Sequence, residues 1–283
     1  MDKLRILSNN VWSCTKNQPW WIEQGLDCSS AARAPIFAQV YKELLPDLIG
    51  WQEGDAYFRE LTPPAMKELG LNNYEIIPAG YTSILYNKEK LELRESHFFV
   101  YPDTMEGFDG VYNAGNGKSY CIGVFKIKES GKHIIFGTTH LWWKHANPQS
   151  RFYCPQADEG REYQTNCMLD TLEALREKYD CPAIGVGDFN AIYDSLAVKA
   201  AFARGYRHAH NIATDYADDR DGVHYCVPEG YKMYDNPRPF EKSIDHIFVK
   251  GDPEGFVKRF ERYTPDYYMP LSDHFPVYID IEF

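Results

Sequence analysis

The sequence predicts an α/β protein with a mixed sheet, or two sheets, covered by helices. Strand-type and helix-type segments alternate along the whole chain of 283 residues, which is the pattern of interleaved α/β architectures. Hydrophobic residues make up 44% and charged residues 25%, a composition typical of folded proteins. A chain of this length can form one large domain or two of about 150 residues, and no repeat or linker divides it.

Ten short segments have the apolar, β-branched and aromatic character of strands, with turn residues between them. They lie at 4–8, 47–52, 74–78, 83–87, 97–101, 120–128, 133–141, 183–188, 243–250 and 275–283. Segments 102–119 and 215–242 have no periodicity and are rich in Gly, Asp, Asn and Pro. We expect long loops there, which in a compact domain are usually functional or disordered.

Four segments carry apolar residues at helical spacing. They lie at about 30–45, 56–70, 159–179 and 195–204. Ser29 or Ser30 is a candidate cap for the first, because a short hydroxyl side chain can accept from a free backbone N–H. The third opens with Asp158 and Glu159, and acids are favourable at a helix amino terminus. The predicted helices are long enough to cover a sheet.

The charge balance argues against a protein that binds duplex DNA without sequence preference. Subtracting 41 acids from 30 bases gives a net charge of −11, which offers no general attraction to a phosphate backbone. No apolar run is long enough for a membrane span, and the amino-terminal residues lack a secretory pattern. The seven cysteines are dispersed without any C-x-x-C pair. We therefore expect a soluble, cytoplasmic protein with reduced thiols.

Polar side chains stand at the ends of several predicted strands. Asp188 and Asn190 follow the apolar run 183–186, where α/β proteins place their ligands, although an Asx turn explains this pair equally well. Asp273 and His274 precede the last strand and combine an oxygen ligand with a titratable imidazole. Asp245 is the single acid in an apolar strand, and a buried charge of this kind needs a partner.

Three more strand ends each add one polar group: Asn10, Glu53 and His140. Any one of these features also occurs in ordinary structural positions, but their joint occurrence is informative. No cysteine is among them, and hard oxygen ligands select Mg²⁺, Mn²⁺ or Ca²⁺ over zinc. The set is suited to a divalent cation that acts on a phosphate ester.

The order of these motifs closely resembles the endonuclease/exonuclease/phosphatase superfamily. The resemblance rests on Asn10, Gln52-Glu53, Thr139-His140-Leu141, Gly187-Asp188-Phe189-Asn190, Asp245-His246-Ile247-Phe248 and Ser272-Asp273-His274-Phe275-Pro276-Val277. It runs through nearly the whole chain and implies one domain over residues 1–283. The implied fold is a four-layer α/β sandwich, in which two mixed β-sheets pack face to face and are flanked by helices. The implied activity is metal-dependent hydrolysis of a phosphate ester bond, with Mg²⁺ as the metal.

By matching position, the resemblance implies a role for each site residue. Glu53 is implied as the principal carboxylate ligand of Mg²⁺, with Asn10 and Asp273 near the ion, directly or through water. Asp188 is implied to position and deprotonate the attacking water for in-line attack, and Asn190 to hold the water or the phosphate.

The same comparison implies that two imidazoles bind the phosphate, those of His274 and His140. Asp245 is implied to hold His274, and we expect these two residues to meet across adjacent strands. Several nuclease members carry a Glu that partners the histidine equivalent to His140, on the strand that here spans 80–86. No acid stands there, so this sequence departs from the nuclease pattern and offers His140 no such partner on that strand. The acid that protonates the leaving group is left open.

The substrate has two candidate classes. A small phosphate monoester or diester is favoured by the net charge, with Arg161, Lys118 and Trp142 as candidate substrate-binding residues. A solvated Arg161 is equally compatible with the sequence. The pair Trp142-Trp143 could stack on a sugar or base, but aromatic pairs more often complete the edge of a core. The alternative is a nuclease for single-stranded RNA or DNA, in which aromatic residues stack on bases. A scaffold without activity is a third reading, although all the core residues of the motifs are present.

Overall fold

The computed structural model describes residues 2–13, 23, 25–216, 243–268 and 271–283. Its strands are β1 (Lys3–Asn10), β2 (Leu48–Gln52), β3 (Tyr74–Ile77), β4 (Ile84–Asn87), β5 (Leu91–Val100), β6 (Ser119–Ile127), β7 (His133–His140), β8 (Ala183–Asp188), β9 (Arg207–His208), β10 (Asp215–Tyr216), β11 (Asp245–Lys250), β12 (Val257–Arg262) and β13 (Val277–Glu282). Its helices are α1 (Ser30–Leu44), α2 (Ala56–Glu68), α3 (Ala157–Tyr179), α4 (Leu196–Ala203) and α5 (Ala209–Ile212). Most of the predicted loop 215–242 lies outside the described residues.

The strands form two mixed sheets. The first has the order β10-β12-β13-β1-β2-β4-β3, and the second has the order β5-β6-β7-β8-β11-β9. β1 and β2 are parallel in the first sheet, and β7 and β8 are parallel in the second, while most other neighbours are antiparallel. In both the β1–β2 pair and the β7–β8 pair, each strand ends in a polar residue at its carboxyl end.

Three apolar clusters hold four layers together. Ile6 and Leu48 of the first sheet meet Phe136 and Val186 of the second in the core between the sheets. The outer face of the first sheet packs on α1 and α2 through a second cluster. The outer face of the second sheet packs on α3 and α4 through a third cluster. This arrangement confirms the predicted sandwich, because each sheet buries one face on its partner and the other on helices.

Side-chain caps begin four of the five described α-helices. Ser29 Oγ accepts from the backbone N of Ala32 at 3.2 Å, which selects the first of the two serines as the cap of α1. Asp55 caps α2 through the backbone N of Phe58 at 2.9 Å. The four predicted helices are all present, since local capping and apolar spacing are readable in the sequence.

Two strands that differ from the predictions are irregular: the edge strand β5, and β12, which lies between β10 and β13. β12 was not predicted, and the register of its pairing with β13 shifts between Val257 and Arg259. β5 begins at Leu91 rather than near 97, and its register with β6 shifts between Leu93 and Glu95. A bulge inserts a residue and breaks the alternation with period two, so these strands have no clean sequence pattern. The short elements β9, β10 and α5 were not predicted either.

None of the described helices combines the length and apolar character that a membrane crossing needs.

Candidate active site

Strand pairing brings three of the predicted site residues into one row. His140 at the end of β7 is in register with Asp188 at the end of the parallel strand β8. On its other side Asp188 is in register with Asp245, the first residue of β11. Neighbouring strands lie about 5 Å apart, so the second sheet alone places these side chains close together.

Asp188 is the centre of the site and is almost fully buried. Its Oδ2 accepts from Asn10 Nδ2 at 3.0 Å, across the gap between the two sheets. Its Oδ1 accepts from the backbone N of Asn190 at 2.9 Å. The same Oδ2 lies 3.3 Å from His140 Nε2 and 3.8 Å from His274 Nε2. Both sheets therefore contribute to the surroundings of one carboxylate.

The Asx turn that was one reading of the Asp188 and Asn190 pair is present. Asn190 has a left-handed backbone with φ 48°, which Asn tolerates better than most residues. Its Nδ2 donates to the backbone O of Leu141 at 3.0 Å. The turn therefore orients Asp188 and joins the loop after β8 to the loop after β7, so the structural and functional readings are compatible.

The electrostatics of the site keep Asp188 ionised. Burial by itself would raise the pKa of this carboxyl, but His274, His140 and Lys118 outweigh that effect and hold the pKa well below its usual range. A carboxylate held in this way accepts a hydrogen bond from water throughout the neutral pH range.

Asp245 has the partner that its apolar strand requires. Its Oδ2 lies 2.8 Å from His274 Nδ1, and both side chains are buried. The expectation that these residues meet across adjacent strands is wrong, because β11 belongs to the second sheet and His274 precedes β13 of the first. Burial lowers the pKa of His274, but Asp245 and Asp188 outweigh it and raise the pKa to about 10. His274 is therefore an imidazolium at neutral pH.

A serine that the sequence analysis did not single out holds this segment in place. Ser272 Oγ donates to the backbone O of Asn10 at 2.7 Å and accepts from the backbone N of His274 at 3.1 Å. The only sequence signal was its position in the run Ser272-Asp273-His274, since a serine two residues before a backbone N–H commonly forms such a turn.

His140 is buried beside a cation rather than an acid from the strand at 80–86. Lys118 Nζ contacts His140 Nε2, and Lys118 is 8% exposed. Burial and the neighbouring Lys118 lower the pKa of His140, against the opposing effect of Asp188. Among the described residues, His140 Nδ1 has no hydrogen-bond partner. His140 is thus neutral here, and the positive charge at this position is that of Lys118.

The predicted cation ligands lie next to this cluster. Glu53 has a left-handed backbone with φ 61°, and its Oε1 lies 3.9 Å from His140 Nε2. Its Oε2 accepts from the backbone N of Ser13 at 3.0 Å. Asn10 Oδ1 accepts from the backbone N of Trp12 at 3.0 Å, which leaves a second lone pair for an ion or its water. Asp273 is partly exposed and helps to raise the pKa of His274.

Two groups of side chains have the chemistry to hold a divalent cation. Glu53, Asp273 and Asn10 offer oxygen ligands only, as a hard cation requires. Asp188, Asp245 and His274 each offer one ligand atom, and these atoms lie within 4.8 Å of one another. In the second group Asp245 Oδ2 and His274 Nδ1 are hydrogen-bonded to each other at 2.8 Å, so two of its ligand atoms already have a partner.

The structure corrects the expectation for Trp142 and gives Arg161 other partners. The Trp142 ring is 3% exposed and packs in a small apolar cluster, so it presents no face for stacking on a ligand. Arg161 Nη1 donates to the backbone O of Trp142 at 3.2 Å and of Lys144 at 3.0 Å, and Nη2 pairs with Asp158. Arg161 thus supports the segment after His140, and phosphate binding by Arg161 stays a prediction.

Solved structures similar to this one have the fold that the motifs implied. An endonuclease/exonuclease/phosphatase family protein from Bacteroides thetaiotaomicron has a TM-score of 0.75 and 22% identity, covering 99% of this chain and 95% of its own. A mannosyl-6-phosphatase from the same species has a TM-score of 0.73 and 21% identity, covering 99% and 100%. TDP2 from D. rerio, solved with a single-stranded DNA product, has a TM-score of 0.63 and 18% identity, covering 100% of both chains.

These identities are low, so the likeness establishes the fold rather than the substrate. Comparison with family models gives no match, and comparison with curated proteins gives none either. The chain has the α/β sandwich of endonuclease/exonuclease/phosphatase proteins, which confirms the fold that the motifs predicted. One fold can act on many different phosphate esters, so the residues of the site decide the reaction.

Proposed function

We propose that this protein is a divalent-metal-dependent phosphoesterase that hydrolyses a small phosphate monoester or diester. The observation that carries the proposal is the group around Asp188, in which one ionised carboxylate is surrounded by Asn10, His140 and His274 within 3.0 to 3.8 Å. A phosphoryl transfer needs a held water opposite the leaving group and positive charge around the phosphoryl oxygens. This group supplies both kinds of contact in one buried place.

Asp188 is the residue that holds the attacking water. Its carboxylate stays ionised, and Asn10 and Asn190 fix its two oxygens. A carboxylate of such low basicity is a weak base before attack, so we place the proton transfer late, when the water oxygen bonds to phosphorus and becomes acidic. In-line attack then moves the leaving oxygen away from Asp188.

His274 and Lys118 provide positive charge for the phosphoryl group. Asp245 holds His274 at Nδ1, and His274 Nε2 lies on the side of Asp188. There the Nε2–H can donate a hydrogen bond to a phosphoryl oxygen. Lys118 is a buried ammonium beside His140, so it offers charge where a neutral histidine cannot. Because the dielectric is low in a buried site, these contacts are stronger than they would be at a surface.

Glu53, Asp273 and Asn10 are the residues that we assign to the cation, with Mg²⁺ as the ion and Mn²⁺ or Ca²⁺ as alternatives. When bound, such an ion neutralises charge on a non-bridging phosphate oxygen and on the leaving group. Glu53 has one oxygen fixed by the backbone N of Ser13, so its other oxygen is oriented before any ligand arrives. Preorganised carboxylates of this kind lose little freedom on binding an ion.

A small substrate fits the charge of the chain better than a polynucleotide does. The net charge of −11 opposes a long phosphate backbone, whereas one buried site with two cations can attract a single phosphate. One of the similar structures is a mannosyl-6-phosphatase, which is consistent with a small ester. Within the described residues, the five cysteines Cys28, Cys121, Cys154, Cys167 and Cys181 are free thiols, which supports the proposal of a reducing, cytoplasmic location.

A nuclease for single strands is the second candidate, and one surface feature favours it. Trp143 and Tyr153 are 39% and 44% exposed, and Lys144 Nζ lies 4.1 Å above the Trp143 ring. Exposed rings with a nearby cation are suitable for stacking on bases. Trp143 stands three residues after His140, which places its Cα within about 11 Å of the His140 Cα.

A screen of the purified protein separates the two candidates. With Mg²⁺ present, we expect hydrolysis of p-nitrophenyl phosphate, its bis-ester, sugar phosphates or inositol phosphates, and loss of that activity with EDTA. Hydrolysis of short oligonucleotides alone would instead establish the nuclease. Activity on none of these esters, with any divalent cation, would contradict both.

A further inference from the structure

Arg33 is a fully buried arginine that the proposed mechanism does not use. It lies in the first turn of α1 and is 1% exposed, which makes it one of the largest fully buried side chains of the described chain. Removing a guanidinium from water is costly unless its donors are satisfied by well-placed acceptors. Its partners therefore indicate why a charge is kept in this place.

The guanidinium binds backbone carbonyls from three separate segments. Nη1 donates to the O of Val11 at 2.7 Å and to the O of Leu271 at 2.6 Å. Nη2 donates to the O of Trp12 at 2.7 Å, and Nε donates to the O of Cys28 at 2.9 Å. The planar fork thus closes on four carbonyl groups, with the Trp12 ring 5.3 Å from its Cζ. Arg33 joins the segment after β1 to the segment that precedes His274.

The segment after β1 carries contacts to two of the proposed cation ligands. The backbone N of Trp12 donates to Asn10 Oδ1, and the backbone N of Ser13 donates to Glu53 Oε2, both at 3.0 Å. Arg33 holds the carbonyl of Trp12, which belongs to the same peptide unit as the N of Ser13. The position of that N–H, and with it the orientation of the Glu53 carboxylate, therefore depends on Arg33.

The other segment carries the third proposed ligand. Leu271, whose carbonyl Arg33 binds, is followed by Ser272 and Asp273. Ser272 Oγ donates to the backbone O of Asn10 at 2.7 Å, so this segment is also tied to the end of β1. One guanidinium thereby fixes the distance between Asp273 and the pair formed by Asn10 and Glu53.

We infer that Arg33 is a positioning residue that holds the three oxygen ligands of the cation site in one arrangement. The inference rests on the proposed function, because it takes Glu53, Asp273 and Asn10 as the ligands. Lysine cannot replace Arg33, since a single ammonium cannot reach carbonyls on several sides in a fixed plane. Residues that orient metal ligands without touching the ion typically change metal affinity 10- to 100-fold when altered.

The test measures cation binding directly, with Mn²⁺ as the probe. Mn²⁺ is titrated into the metal-free protein by isothermal titration calorimetry and by electron paramagnetic resonance of the free ion. We expect Arg33→Met and Arg33→Lys each to raise the Mn²⁺ dissociation constant by about tenfold or more. At saturating Mn²⁺ we expect the kcat of both variants to lie closer to the wild-type value than kcat/KM does, because the ligands are misplaced rather than removed.

Asp47→Asn is the matched control for a loss of stability. Asp47 is also buried and accepts from the backbone N of Arg5 at 3.0 Å and from Asn87 Nδ2 at 3.2 Å. It precedes β2 whereas Glu53 follows that strand, a separation of about 20 Å in an extended chain. We expect this variant to lower Tm without changing the Mn²⁺ dissociation constant.

The outcomes distinguish this inference from the proposed function. A wild-type protein that binds no Mn²⁺, or that binds it as well after Glu53→Gln, would contradict the assigned cation site itself. Wild-type affinity for Mn²⁺ in a folded Arg33→Met or Arg33→Lys protein would overturn the role of Arg33 alone. Failure of both variants to fold, judged by circular dichroism, would also overturn it, because Arg33 would then serve the whole fold.

Discussion

Asp245 and His274 form a hydrogen-bonded pair that joins the two sheets, with Oδ2 of the first 2.8 Å from Nδ1 of the second. The pair is buried at the edge of the sandwich where Asp188 also lies, so three ionisable groups share one site with little water. This arrangement sets the protonation state of His274, and several predictions depend on that state.

Replacing Asp245 with Asn should lower the pKa of His274 from about 10 toward its unperturbed value, with Asp188 still opposing the fall. Because the mechanism uses protonated His274, the alkaline limb of the kcat/KM profile should move down by about one pH unit or more. The stabilisation from the ion pair is complete below the unfolded pKa of His and is lost as the pH rises through about 10. Urea unfolding at several pH values checks the second effect.

Asp280→Asn is the control for that profile. Asp280 binds Arg5 at 2.7 Å on β13, away from the catalytic group. This variant should cost stability and leave the pH profile of kcat/KM in place. An alkaline limb that moves equally in both variants would rule out the role of Asp245.

The effects of Asp245→Ala and His274→Ala on kcat should be strongly non-additive, because two residues that act as a unit can be lost only once. The double variant should be about as slow as His274→Ala alone. A double variant whose loss equals the product of the two single losses would mean that the pair does not act as a unit.

Glu53→Gln should lower kcat by about two orders of magnitude or more, since an amide is a much poorer ligand for a hard cation than a carboxylate. The fold should be retained, because Gln can still accept from the backbone N of Ser13. Activity is followed against Mg²⁺ concentration, together with Tm. Near wild-type activity in this variant, and in the wild type after EDTA treatment, would refute the metal mechanism.

Asp188→Asn should reduce kcat by a similar factor without weakening Mn²⁺ binding, because we assign Asp188 to the water rather than the ion. The change removes the charge that His274 and His140 face at 3.8 and 3.3 Å. Calorimetric titration with Mn²⁺ provides the measurement. A large loss of affinity would instead make Asp188 a ligand and favour the group of Asp188, Asp245 and His274.

Two buried histidines outside the reaction should make the protein sensitive to acid. His208 Nδ1 accepts from the backbone N of His210, so its Nε2 donates to His246 Nδ1 at 3.1 Å, and His246 Nε2 donates to the O of Ala191. A proton added to either ring would place two donors face to face. Burial lowers the pKa of His208 well below its usual range and that of His246 to about 4.

Because both rings are neutral when folded, their stabilisation is present above about pH 6.5 and is lost as the pH falls toward 4. His246 alone should change the free energy of unfolding by about 3 kcal/mol over that pH range. His208→Phe removes one titrating ring from an aromatic environment. The free energy of unfolding of this variant should therefore depend less on pH between 6.5 and 4 than that of the wild type. Equal slopes for wild type and variant in urea unfolding would contradict the neutral pair.

Gly187→Ala should be severely destabilising. Gly187 has φ +150°, and an added Cβ would lie 2.0 Å from the backbone O of Thr139 on the paired strand β7. We expect a loss of about 3 kcal/mol or more, together with displacement of Asp188. Gly185→Ala on the same strand is the control, because its Cβ would meet only flexible tips of Met168 and Leu172 at 3.2 and 3.4 Å. Similar Tm values for the two variants would contradict the argument.

The sequence by itself determined the elements and the chemistry of the strand ends. Helices with caps, such as the one that begins after Ser29, and strands with regular alternation are readable because their signals are local. Asp188, His140 and Glu53 were recognisable as site residues because each lies at or just after the end of a predicted strand. Bulged β12 was not predicted, since its extra residue breaks the period.

Only the tertiary structure decided which side chains meet. The partner of Asp245 lies in the other sheet, and the cation beside His140 is Lys118 rather than an acid partner. Trp142 and Trp143 are identical in type and adjacent, yet one is buried and the other is exposed. Arg33 donates to backbone carbonyl groups. Every residue has such a group, so the sequence does not identify these partners. Contacts of this kind depend on how layers pack, and no local period records that packing.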